Sequence, residues 1–366
     1  MMKTEPVVFV LHDTYHIMVP VTNTCMMWVK VGENCYYDDS NGIMRSADHI
    51  HRMIVPKEAL DQAKGYTICE EEVLERKAYF TVTGEIRERY FPFQPVEPGC
   101  TRCYHIADTH NRTKEPIKAA LNYGKIDFLI LNGDVPEDSG CVENFDTIYE
   151  IAAGITHGRI PVVYARGNHD LRGVYAEKIG EYTPNEKGNT YYSFRLGDIW
   201  GLVLDCGEDK DDSHPEYGHT VCCHRFRQQQ TRFIRQIIEC AKQEYESEGI
   251  LHRMVVVHNP FTECMEAPFD IEQDIFHEWV ALLRENVKPN LMICGHMHTL
   301  EIYEPGGPKD HHGQTWPVVV GAQPGKDSFG GAGFVFREDG VEVIFNDDQG
   351  QELGKRFLQS VLKSEF

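Results

Sequence analysis

The rhythm of apolar and polar positions changes near residue 100. Before it, short runs rich in β-branched and aromatic residues recur: Val7–Leu11, Tyr15–Val19, Cys25–Val31, Arg52–Val55, Tyr66–Cys69 and Lys77–Thr83. Turn-forming clusters such as Asp38-Asp39-Ser40-Asn41-Gly42 separate them. Short strands at this spacing predict a small all-β sandwich over residues 1–97. The proline-rich stretch from Phe91 to Pro98 reads as its last strand and a linker. Beyond it, apolar runs alternate with amphipathic stretches, the signature of βαβ units and a parallel sheet. Tyr104–Ala107, Phe128–Leu131, Pro161–Ala165, Ile199–Leu204, Met254–Val257 and Leu291–Cys294 are the expected strands. Residues 225–247 place Ile234, Ile237, Ile238, Ala241 and Tyr245 on one helical face, and residues 271–287 do the same with Phe276, Trp279, Val280, Leu283 and Val287. The chain turns β-like again from about 300 to 346, and residues 347–366 are expected to form a tail or helix.

The polar residues that close the apolar runs carry the chemistry. Asp108-Thr109-His110, Asn132-Gly133-Asp134, Arg166-Gly167-Asn168-His169-Asp170, His258-Asn259 and Gly295-His296-Met297-His298 each close one expected strand. Parallel strands share a C-terminal edge, where open α/β folds place their sites, so these side chains should converge. Three oxygen donors (Asp108, Asp134, Asn168) and four imidazoles (His110, His258, His296, His298) exceed what one first-row ion needs. They suit two ions. Asp108, His110, Asp134 and His298 would hold one, and Asp134, Asn168, His258 and His296 the other, with Asp134 bridging. Mixed nitrogen and oxygen ligation without thiolate favours Mn, Fe, Zn or Ni.

In order and spacing, these five blocks resemble the calcineurin-like metallophosphoesterase superfamily, whose motifs run D-x-H, G-D, G-N-H-[DE], H and G-H-x-H. The resemblance covers residues 104–298 and implies a phosphoesterase domain over residues 98–346. Its expected architecture is a four-layer α/β sandwich, two mixed sheets flanked by helices. It also implies two divalent cations and a metal-activated water that attacks a phosphomonoester or phosphodiester. His169 would then protonate the leaving alkoxide. Asp170 would fix the His169 tautomer, unless it only caps the turn, and Arg166 would contact phosphate, unless it forms a salt bridge. Arg172 is a second candidate for that contact. The preceding β-sandwich, of immunoglobulin or fibronectin type, is similar in arrangement to that of purple acid phosphatases. Leu60 with Tyr66 resembles the tyrosine corner of such sandwiches. The metal-ligating tyrosine of purple acid phosphatases is missing, because Val135-Pro136-Glu137-Asp138 follows Asp134. The metal site is therefore expected to follow the Asp-x-His branch.

Composition narrows the partners. A formal charge of -21 argues against a polyanion and hence against a nuclease, because nucleic-acid affinity rests on Lys and Arg neutralising phosphates. A small phosphoester is the expected substrate. Neither an export signal nor a membrane span is visible in this sequence, and twelve cysteines in 366 residues do not form a disulfide-dense framework. A cytoplasmic protein with reduced thiols is expected. The polar segment 207–219, carrying His214 and His219, is read as a solvated loop, with a lid over the site as the other reading. A non-catalytic metal-binding scaffold is the rival function, and the presence of His169 favours an enzyme.

Overall fold

The computed structural model describes residues 1–39, 42–47 and 49–359. Two sheets stack face to face in its middle. In the first, Thr101–Ile106, Phe128–Asn132 and Pro161–Ala165 run parallel. In the second, Ile199–Val203, His252–Val256 and Leu291–Cys294 run parallel beside the antiparallel edge strand Tyr192–Leu196. Strand Val318–Pro324 belongs to both: its first residues pair with Leu291–Cys294 and its last with Phe329–Arg337, which leads back beside Thr101–Ile106.

Side-chain parity explains the layering. Along the second sheet, Val203, Met254, Val256, Leu291, Ile293 and Val319 face the first sheet and share its core. Their alternates Leu202, Leu204, Val255, Val257, Met292, Cys294, Val318 and Val320 face helices Cys223–Glu239 and Gln273–Leu282, meeting Ile234, Ile237, Phe276, Trp279 and Val280. Strands buried on both faces read as continuous apolar runs, which is why they are legible in the sequence. Helices Lys114–Tyr123 and Asp146–Thr156 cover the outer face of the first sheet. The result is the expected mixed α/β arrangement of two sheets flanked by helices.

The N-terminal region is β-rich as expected, but its strands are shared out. Val7–Leu11 pairs in parallel with Pro161–Ala165, and Thr14–Pro20 and Ile50–Pro56 extend the first sheet from there. The remaining strands, chiefly Cys25–Val31, Asn34–Tyr37, Gly65–Arg76 and Arg87–Pro92, form a separate six-stranded sheet. Alternation on Cys25–Val31 turns Cys25, Met27, Val29 and Val31 into the common core. Residue 97 is thus a linker in sequence but no seam in the packing. Tyr66 makes no corner within its own sheet. Its hydroxyl donates to the Gly158 carbonyl at 2.8 Å, past the end of the Asp146–Thr156 helix. At the other end, Glu352–Gln359 is an edge strand paired with Gly340–Asp347, in place of the expected tail or helix; residues 360–366 lie outside the described residues. All twelve cysteines are free thiols. Among the described residues, no helix is long and apolar enough to cross a membrane.

Candidate metal centre

The seven candidate ligands meet where the C-terminal ends of the two sheets come together. Asp108, His110, Asp134 and Asn168 follow strands of the first sheet; His258, His296 and His298 follow strands of the second. Donor atoms of Asp108, His110 and His298 lie within 4.8 Å of one another, as do those of Asp134, His258 and His296. Asn168 joins the second group through its side-chain oxygen, 3.1 Å from His296 Nδ1. Asp134, expected from the sequence in both groups, has its donor atom with His258 and His296.

Backbone conformation marks the site independently of side-chain chemistry. Asp108, His110, Asp134, His296 and His298 all adopt φ between 46° and 68°. L-residues avoid this left-handed region at about 1–2 kcal/mol each, and such strain persists where the surrounding structure demands it. The glycines between them allow the close approach. A Cβ on Gly133 would lie 2.5 Å from the Gly167 nitrogen and 2.7 Å from His258 Nδ1, and one on Gly167 would overlap the Asp134 carboxylate.

Burial and charge set the ligand states. Asp108 and His258 are fully buried, and Asp134 and Asn168 nearly so. Burial pushes the Asp134 carboxyl up, but His258 and His169 beside it outweigh this and hold it below the usual carboxylate range. Burial pulls His258 down, and Asp134 and Asp108 more than reverse it. His258 Nδ1–H donates to the Asn132 carbonyl at 2.7 Å, which turns Nε2 toward the cluster. That Nε2 lies in ion-pair range of Asp134 Oδ2, at 3.1 Å, and of Asp108 Oδ1, at 3.7 Å, and has no other partner in its buried surroundings. A buried imidazole nitrogen aimed at carboxylates, with its other nitrogen fixed by a carbonyl, is the usual arrangement of a metal ligand. The donor set fits divalent transition-metal ions.

Asn132 is a positioning residue that sequence reasoning misses. It ends a strand of the first sheet, and its Nδ2 lies 3.1 Å from the carbonyls of Val257 and Ile293 in the second sheet and from His105 Nε2. It therefore ties together the strand ends that carry Asp134, His258 and His296. An asparagine before Gly-Asp is visible in the sequence, but nothing local says that its amide crosses between sheets.

The other three candidates separate. His169 sits at the rim: its Nδ1–H donates to the Glu137 carbonyl at 2.8 Å, and its Nε2 is 4.0 Å from Asp134 Oδ2. Asp170 does not orient it. The 3₁₀ turn His169–Leu171 sends Asp170 inward, where it is fully buried and accepts from the Gly167 and Asp134 amides at 2.7 and 3.2 Å. Burial, with the nearby Asp134 charge, pushes its carboxyl up to about 7. Its place is to hold two ligand-bearing turns together. Arg166 is likewise spoken for: its Nε lies 2.7 Å from Asp205 Oδ2, and its guanidinium lies over the Phe226 ring. This is the salt-bridge reading, here almost buried. A third grouping, His110, Glu137 and His169, also brings donors within 4.8 Å. We assign no ion there, because His169 Nδ1 is committed to Glu137 and Nε2 faces a guanidinium, Arg172 Nη1, at 3.1 Å.

Segment 207–219 is anchored at its start and solvated beyond it: residues 211, 213, 215, 216, 218 and 219 are exposed. Glu208 and Asp209 are buried, Tyr217 packs beneath Lys210, and Arg227 reaches from the next helix to the Cys206 carbonyl at 2.7 Å. The arm reaches the rim of the cluster through Glu208, which holds Arg172 beside His169.

The profile of the calcineurin-like phosphoesterase family matches residues 101–300, more than half of the chain. A purple acid phosphatase isolated from yellow lupin (Lupinus luteus) seeds superimposes with a TM-score of 0.57 at 12% identity, over 98% of this chain and 75% of that one. PhoD superimposes with a TM-score of 0.56 at 10% identity, over 98% of this chain and 92% of that one. At these identities the two structures speak for the fold alone. No curated protein matches the chain by sequence. With a family profile covering the strands and strand ends that build this cluster, the chain belongs to the calcineurin-like phosphoesterases.

Proposed function

We propose that this protein is a binuclear metal-dependent phosphoesterase that hydrolyses a small phosphomonoester or phosphodiester. The observation that carries the reading is the pair of donor groups, Asp108/His110/His298 and Asp134/His258/His296, on strained strand ends that meet between two sheets. Asp134 would be shared between two ions, and Asn168 would complete the second. Mn, Fe, Zn or Ni suits this set. When bound, such ions supply Lewis-acid polarisation of the phosphoryl group and a more acidic water.

The chain's own part begins with Asp108 and Asp134, which bring fixed negative charge to the metal positions. His296 N–H donates to Asp108 at 2.9 Å, and His169 N–H to Asp134 at 2.9 Å, so neither carboxylate is free to swing. In the reaction a water oxygen joins phosphorus, the ester P–O bond breaks, and a proton passes to the departing oxygen. His169 Nε2 is the atom proposed to deliver it, because the other ring nitrogen is held by the Glu137 carbonyl. A positioned acid of this kind contributes about 10²–10⁴-fold. The acidic balance of the chain supports a small substrate over a nucleic acid.

The test is hydrolysis of p-nitrophenyl phosphate and its bis ester by metal-reconstituted protein, before and after chelation. Turnover that chelation abolishes and metal restores is expected, with His169→Ala lowering kcat about 10²-fold or more at unchanged metal content. Inactivity across a broad phosphoester panel with all four metals would reduce the protein to a metal-binding scaffold.

A further inference from the structure

Arg166, the arginine that the sequence offers for phosphate, is held by Asp205. Another guanidinium, that of Arg172, stands beside His169 at the rim of the metal centre. We propose that Arg172 binds a non-bridging oxygen of the substrate's phosphoryl group, and that Glu208, on the 207–217 arm, is its positioning residue. The assignment rests on the phosphoesterase reading of the metal centre.

The geometry divides the guanidinium into two halves. Nε lies 3.2 Å from Glu208 Oε1 and Nη2 lies 3.0 Å from Glu208 Oε2, a fork that fixes the plane of the group. The remaining nitrogen, Nη1, points at His169 Nε2 from 3.1 Å. Asp209 and Glu216 stand near but are matched to Lys210, whose Nζ lies 2.9 and 3.2 Å from them. Nη1 lies farther from Glu216, at 4.0 Å.

Glu208 is only 1% exposed. Burying a carboxylate to hold one arginine adds little net stability, so the pair is better accounted for by the orientation it gives the guanidinium. The arm is itself anchored: Arg227 donates to the Cys206 and Glu208 carbonyls. A guanidinium held on one side by a carboxylate and on the other only by an imidazole nitrogen is a preorganised donor that cannot lose its proton.

This exchangeable donor also bears on how His169 acts. Nδ1–H is committed to Glu137, so in the free protein Nε2 accepts from Arg172. When a phosphoryl oxygen arrives, Nη1 turns from the neutral nitrogen to the better acceptor, an anionic oxygen. That exchange frees the Nε2 lone pair to take up a proton from water, and His169 then carries on Nε2 the proton that the leaving group needs. One contact therefore both holds the phosphate and frees the proton-transfer atom.

The probe is inorganic phosphate, titrated calorimetrically into metal-reconstituted protein, with metal content measured alongside. Arg172→Ala is expected to weaken phosphate binding about tenfold or more without loss of metal. Arg172→Lys should fail to restore it, because an ammonium cannot keep the fork and reach the phosphate at once. Glu208→Gln should weaken phosphate binding in the same direction and raise KM for p-nitrophenyl phosphate more than it lowers kcat. Undiminished phosphate affinity in a folded, metal-replete Arg172→Ala protein would overturn the proposal. Wild-type protein that binds phosphate through Arg172 yet cleaves no ester would sink the hydrolase reading and leave this contact standing.

Discussion

Five candidate ligands hold left-handed backbone that only glycine adopts without strain. The strain is spent on aiming side chains inward from tight strand ends, and it predicts a trade between stability and function. His298, half exposed on its side chain, is the best place to see it. In metal-stripped protein, His298→Gly should raise the urea-unfolding free energy by about 1 kcal/mol while weakening metal binding. A variant less stable than the wild type without metal would mean that the turn is not strained. The same scale shows where sequence reasoning ends. Asp108, Asp134, Asn168 and the histidines are legible because each closes an apolar run. Asp170 is not, because one residue of rotation around a 3₁₀ turn decides whether a side chain meets the cluster or the core, and Arg166 is not, because its partner Asp205 comes from a distant stretch of the chain. The Arg172–Glu208 fork spans 36 residues and leaves no local pattern at all.

At the scale of elements, the centre is a junction between two sheets, each contributing ligands from its C-terminal strand ends. Asn132 is the cross-tie, its amide shared between two carbonyls of the opposite sheet and His105. Asn132→Ala would take the side-chain donor from the Val257 carbonyl and His105 Nε2, at about 1–3 kcal/mol, while the Ile293 carbonyl keeps the Val257 N–H. It would also loosen the carbonyl that aims His258, and metal affinity should drop about 10–100-fold. Equilibrium dialysis with Zn or Mn measures this directly. Unaltered affinity would show that the two sheets keep their spacing without the tie. Strand existence is predictable here because period and burial are properties of the run itself. Sheet membership is not, since a strand carries no sign of which neighbour it will pair with. Val7–Leu11 looks the same in sequence whether it begins a separate sandwich or extends the sheet beside Pro161–Ala165.

That placement governs the molecule as a whole. The N-terminal strands share one core with the phosphoesterase sheets, so the protein should unfold in a single calorimetric transition. His16 reports on it. The residue lies in the Thr14–Pro20 strand, and burial, helped by the Arg52 charge, lowers its pKa from 6.5 to about 3. The folded state keeps the ring neutral while the unfolded chain takes a proton. Its contribution is therefore complete above pH 6.5 and is lost as pH falls toward 3, at up to about 1.4 kcal/mol per pH unit. His16→Gln should flatten that acid limb for the entire transition. Two transitions, with only one shifted, would restore the N-terminal region as an independent unit.

The parallel pairing of Val8 with Pro161 also has a consequence for synthesis. The hairpin of Val7–Leu11 and Thr14–Pro20 leaves the ribosome long before its partner strand exists. At roughly 5–20 residues per second, the intervening stretch takes about 8–30 seconds to translate. Throughout that time an apolar strand edge has nothing native to pair with. This protein should therefore depend on a nascent-chain chaperone more than a phosphoesterase whose central sheet starts and finishes within one continuous segment.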